Sequence, residues 1–79
     1  MDFGNALQLV KQGFRLRRSG WNRKGMWVEL QCHDAHSKMT LPYIFIEYPI
    51  GHLAYQNGCR VPWFPSQTDL LADDWERVM

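Results

Sequence analysis

Between Asp2 and Gly13 the apolar residues Phe3, Ala6, Leu7 and Val10 recur at i, i+3, i+4 and i+7, and directly after Gly13 that period changes. The first spacing puts four apolar side chains on one helical face. Asp2 offers an N-cap oxygen, and Gly13 stands at the C′ position, where a left-handed backbone is needed. In "FRLRRSGW", Phe14 and Leu16 then alternate with Arg15 and Arg17, the period of a half-buried strand. One helix therefore runs straight into a sheet, and the rest of the chain reads the same way.

"SGWNRKG" is a turn, with Gly20, Asn22 and Gly25 at positions that tolerate positive φ. "MWVELQ" (26–31) reads as the hairpin partner of the first strand, and Trp27 on it as a core residue. "CHDAHSKMTLP" is a polar loop, and the β-branched, aromatic "YIFIEY" (43–48) is the clearest central strand. A turn near Gly51 and an Asn57-Gly58 hairpin signal follow, then a short helix in "SQTDLLADD" and a last strand in "WERVM". The expected fold is α+β: a small, mostly antiparallel β-sheet with an N-terminal amphipathic helix and a short C-terminal helix.

The 79 residues form a single domain, 1–79, with no room for a second core. A chain of this size buries only about 60–65% of the surface it exposes when unfolded, so oligomerisation is a natural source of added stability. An apolar content of 46% excludes disorder. No stretch approaches the ~20 apolar residues that span a bilayer. Cys32 and Cys59, with no signal peptide ahead of them, are expected to be reduced thiols of a cytosolic protein rather than a disulfide.

The net charge of +1 conceals an asymmetry. Lys11, Arg15, Arg17, Arg18, Arg23 and Lys24 share an acid-free window, whereas Asp69, Asp73, Asp74 and Glu76 crowd the far end. On charge alone, the simplest reading is that the two ends pair or face water. The rival reading is an anion site fed by the basic window. The acidic end speaks against a nucleic-acid polymer as partner.

"VPWFPSQTDLLADDW" (61–75) concentrates aromatic and turn chemistry in one segment. Ser66 and Asp69 fit a helix capping box, with Pro65 holding the approach to it. The same helix start offers backbone N–H groups to an anion, and Gln67 and Thr68 add hydrogen-bonding side chains. Leu70, Leu71 and Trp75 are expected to pack, and the motif by itself favours structural capping over an anion site. Trp21, in a turn rich in Gly and Asn, and Trp63, close to two prolines, either pack in a core or stack on a heterocycle.

Cys32, His33, Asp34 and His36 cluster without zinc spacing, and no metal site is assigned. Neither Ser66 nor Cys32 carries a nucleophile signature, and there is no Gly-rich phosphate loop, so no catalytic residue and no cofactor are assigned.

"RRSGWNRKGMWVEL" and "VPWFPSQTDLLADDWERV" together resemble the phage Thoeris anti-defence proteins of the second type, and "DFGNALQLVKQGFRLRR" is similar to the helix that precedes those blocks. The resemblance covers about two-thirds of the chain, is loose over 32–57, and finds Arg23 where many relatives carry glycine. It implies a non-enzymatic sponge that sequesters a cyclic ADP-ribose-type signal made by Thoeris TIR-domain proteins, with cyclic oligonucleotides of CBASS as a further ligand class. It also implies a homotetramer with pockets between protomers, acting in the cytoplasm of the infected bacterial host.

The expected ligand-binding residues are Trp21, Asn22, Arg23, Lys24, Met26, Trp63, Ser66, Gln67, Thr68 and Asp69. Trp21 would stack on the base and Asn22 read polar atoms. Thr68 and Asp69 would bond hydroxyls, the helix start near Ser66 and Gln67 would take the pyrophosphate, and Arg18, Arg23 or Lys24 would neutralise charge. The competing readings are an enzyme that hydrolyses the signal, with Asp69 or a histidine as base, and a protein-binding inhibitor of a host defence protein.

Overall fold

The computed structural model describes residues 1–22, 24–49 and 58–79. The elements run α1 (Phe3–Lys11), β1 (Leu16–Arg18), β2 (Trp27–Gln31), β3 (Tyr43–Tyr48), β4 (Cys59–Pro62), α2 (Gln67–Leu71) and β5 (Trp75–Arg77). The strands form one antiparallel sheet in the order β4-β3-β2-β1-β5, so β3 is an interior strand, and the expected α+β class is the observed one. The Asn57-Gly58 hairpin signal and the turn near Gly51 lie wholly or partly outside the described residues.

Both ends of α1 are closed as its sequence requires. The Asp2 carboxylate accepts from Asn5 N–H at 2.8 Å. At the far end Gly13 adopts φ +98°, its N–H donates to the Val10 carbonyl, and Phe14 N–H reaches the Leu9 carbonyl at 3.1 Å, which is a Schellman closure. That closure explains why β1 is shorter than its alternating pattern. The Phe14 amide belongs to the helix end, and regular pairing begins at Leu16.

α1 lies across one face of the sheet and buries Ala6 and Val10 against Leu16, Val28, Ile46 and Trp75. Leu16 pairs with Val28 and Val28 with Ile46, so this face is one continuous apolar row. Neighbours on a strand point to opposite faces, and Trp27 therefore leaves the core that its size suggested. It sits half-buried on the far face, with the Arg15 guanidinium 4.8 Å above its ring and its Nε1–H donated to Glu29.

Trp75 is the hub of the helix-side core, only 2% exposed, with Phe3 and Trp21 rings at 5.4 Å and the Trp63 ring at 5.8 Å. Leu70 and Leu71 do not join it. Leu71 is 83% exposed, because α2 ends after five residues and turns only part of its face inward. Cys32 and Cys59 are free thiols.

Candidate functional site

The site is built where β1, the turn after it, α2 and β5 meet. Ser66 caps α2: its Oγ accepts from Asp69 N–H at 3.1 Å, while Asp69 Oδ2 accepts from Ser66 N–H at 3.3 Å, completing the reciprocal capping box. Asp69 does more than cap. Its Oδ1 accepts from Arg18 Nη1 at 2.9 Å and from Trp21 Nε1 at 3.1 Å, and its carbonyl accepts from Trp75 Nε1 at 3.0 Å. One residue thus ties the short helix to the basic strand and to two indoles.

Burial acts to push the Asp69 carboxyl up, but the bonds from Arg18, Trp21 and Ser66 outweigh it and hold the group below its ordinary range. Asp74 is held down as well, first by its bond from Arg18 and then, against a desolvation cost, by the Gly20 amide. Arg18 is correspondingly raised by its bonds to Asp74 and Asp69. The pairing of basic window and acidic end is therefore real: Arg18 is clamped between two carboxylates and Arg17 meets Glu76 at 2.9 Å. The charge of Arg18 is spent inside the protein, not held in reserve for an anion.

Beside this network lies an open cavity of about 290 Å³. Of the residues expected from sequence, Trp21, Met26, Trp63 and Asp69 line it together, joined by the side chains of Ile46 and Tyr48. Trp21 and Met26 also border a smaller hollow of about 50 Å³ that holds Lys24 and Arg17. Ser66 touches the site through the capping box. Asn22, Gln67 and Thr68 are exposed and line neither space, and Arg23 lies outside the described residues.

A wider hollow of about 580 Å³ lies around Trp27, Glu47 and Arg60. Its two charged groups neutralise each other at 3.1 Å, and none of the nine expected residues that are described lines it. The convergent indoles and carboxylate favour the smaller cavity as the site. Among the described residues no group of three or more His, Cys, Asp or Glu side chains is placed to hold a metal ion. Asp74 escaped the sequence reading. Its only signal was its place in the acidic end opposite Arg18.

Comparison with known proteins gives the chain's family. The Tad2-like family, described as the Thoeris anti-defense 2-like domain, matches residues 1–78. A protein named Thoeris anti-defense 2, from Bacillus phage SP01, is 41% identical over 86 aligned residues, which cover 99% of this chain and 94% of the relative. The motif resemblance at the two ends of the chain thus extends through its middle, and the chain belongs to the Thoeris anti-defense 2-like family of phage anti-defence proteins.

Proposed function

We propose that the protein is a sponge: it binds a cyclic ADP-ribose-type immune signal, keeps it from the host effector and releases it unaltered. The observation that carries this reading is the indole of Trp21, fixed by Asp69 at the wall of a cavity that also holds Trp63 and Met26. An indole whose edge is already bonded has its rotamer set before a base arrives, so stacking costs less ordering. Lys24, which borders the adjoining hollow with Trp21, is the cation this reading assigns to a pyrophosphate.

Binding rather than hydrolysis is supported by the state of Asp69. A carboxylate held below its usual range by three side-chain and backbone donors is a poor general base. Nanomolar sequestration needs about −12 kcal/mol, within reach of stacking and charge-assisted contacts in a preformed site.

The cavity of about 290 Å³ lies at the bottom of the ~300–1,000 Å³ range of small-molecule sites. A second protomer completing the enclosure fits that size. Phe64, 88% exposed at the cavity rim, and Leu71 supply apolar surface for such an assembly, a homotetramer in this proposal. Cyclic oligonucleotides of CBASS form a second ligand class to be tried on the same protein. The site of action in this reading is the cytoplasm of the infected host. No described helix is long and apolar enough to cross a membrane.

The test is retention on a filter of a cyclic ADP-ribose isomer from a Thoeris TIR enzyme, followed by heating. Intact nucleotide released only on heating is the expected result. Degraded nucleotide would establish an enzyme; if neither this nucleotide nor a cyclic oligonucleotide is retained, the protein-binding inhibitor replaces the sponge.

A further inference from the structure

We propose that Asp74 is a positioning residue for Trp21, acting through Arg18 and the Gly20 amide to fix the turn from which the indole projects; the ligand arm of this proposal rests on the sponge reading, and its structural arm does not. Asp74 stands just before β5, is not among the residues that line the cavity, and gathers the approach to Trp21 onto itself. Its Oδ1 accepts from Arg18 Nε at 2.8 Å and its Oδ2 from Gly20 N–H at 2.9 Å. Its carbonyl accepts from Ser19 N–H at 3.1 Å, so residues 18, 19 and 20 are each bonded to this one aspartate. The turn then closes by the bond from Trp21 N–H to the Arg18 carbonyl at 3.2 Å.

Two further observations show that this is a fitted joint. A Cβ added to Gly20 would stand 2.6 Å from Asp74 Oδ2, so the carboxylate occupies the space that any larger residue needs. Arg18, 16% exposed, is shared out between the two carboxylates: Nε on Asp74, Nη1 on Asp69. Asp69 uses the oxygen that takes Nη1 to accept the Trp21 indole N–H. The chain Asp74–Arg18–Asp69–Trp21 therefore fixes the backbone of the turn at one end and the tip of the indole at the other. Bidentate sharing of this kind suits the planar fork of arginine and would not survive replacement by lysine.

The functional consequence is a rigid stacking platform. A tryptophan that must be ordered on binding forfeits about two- to tenfold in affinity. Asp74→Ala frees Gly20 and one edge of Arg18, so it should loosen the indole without removing any group that lines the cavity.

The experiment reads the tryptophan indole N–H resonances of the ligand-free protein by ¹H–¹⁵N NMR, with Trp21 assigned through Trp21→Phe. In Asp74→Ala the Trp21 resonance is expected to shift or broaden. The Trp27 resonance, bonded to Glu29 on the far face, should stay in place and report that the sheet is intact. Asp73→Ala removes the same charge one residue away and should leave both unchanged. Affinity for the cyclic ADP-ribose isomer, measured by calorimetry, should fall about two- to tenfold in Asp74→Ala and less in Asp74→Asn, which retains one acceptor oxygen. If Asp74→Ala does not fold, Asp74→Asn and Gly20→Ala carry the same readout. An unmoved Trp21 resonance in a folded variant overturns the proposal, as does an equal effect of Asp73→Ala. A wild-type protein that does not bind the nucleotide sinks the sponge reading, while the resonances still decide the positioning role.

Discussion

Replacing Asp69 by alanine should cost the fold as well as the site, and the cost follows from the bonds it makes. Loss of the carboxylate half of the capping box, the bond from Ser66 N–H to Oδ2, removes about 1 kcal/mol, while the bond from the residue 69 amide to Ser66 Oγ survives. The bonds from Arg18 and Trp21 to Oδ1 involve a charged acceptor, and such bonds contribute about 1.5–3 kcal/mol when buried. The site is only partly dry and Arg18 keeps Asp74, so about 1 kcal/mol each is the better figure here. The sum of about 3 kcal/mol stands against a total stability of roughly 4–12 kcal/mol for a domain of this size. At about 4–8 °C per kcal/mol, the melting temperature should fall by about 12–24 °C. The assay is a thermal melt by near-UV circular dichroism at one fixed protein concentration. Asp69→Asn, which keeps an Oδ1 acceptor but loses the charge, should lie between the two. An Asp69→Ala melt within about 3 °C of wild type would refute the account of what holds α2, Arg18 and Trp21 together.

Other predictions bear on the same network. Trp75→Ala removes the ring that Phe3, Trp21 and Trp63 all touch and should cost about 3–5 kcal/mol, read as loss of cooperative denaturant unfolding. The carboxyls of Asp69 and Asp74 are depressed below the ordinary 3.8, so their contribution is full above that value and is lost as pH falls through the depressed values. An acid titration of melting temperature should therefore drop below about pH 4 in wild type and be flatter there in Asp69→Asn. Chelation by EDTA should leave both melting temperature and nucleotide retention unchanged, checked side by side on one preparation.

What could be read in the sequence was what local chemistry determines. α1 was legible from Asp2 to Gly13 because both caps and the apolar face lie within its own residues. The capping box was legible for the same reason, since Ser66 and Asp69 are three positions apart. Trp27 was misplaced because "MWVELQ" carries apolar residues at both parities, and only the pairing of Val28 with Leu16 and Ile46 decides which face is inward. Leu70 and Leu71 were misplaced because a one-and-a-half-turn helix cannot bury a full stripe.

The site was half legible. Trp21, Met26, Trp63 and Asp69 meet in one cavity, yet nothing local says that Asp69 faces Arg18 and the Trp21 indole at the same time. That meeting depends on β1 pairing with β5 in the register Arg18↔Trp75, a contact between distant parts of the chain. The same register brings Asp74 to Gly20, which is why the residue that organises the turn left no mark beyond its charge.

The central claim, capture without turnover, is tested most directly by stoichiometry. Increasing protein is added to a fixed amount of the cyclic ADP-ribose isomer, and free nucleotide is followed over time. The sponge account predicts a linear fall to a break at a fixed molar ratio, unchanged by longer incubation. Free nucleotide that keeps falling with time below that ratio would mean turnover and contradict it.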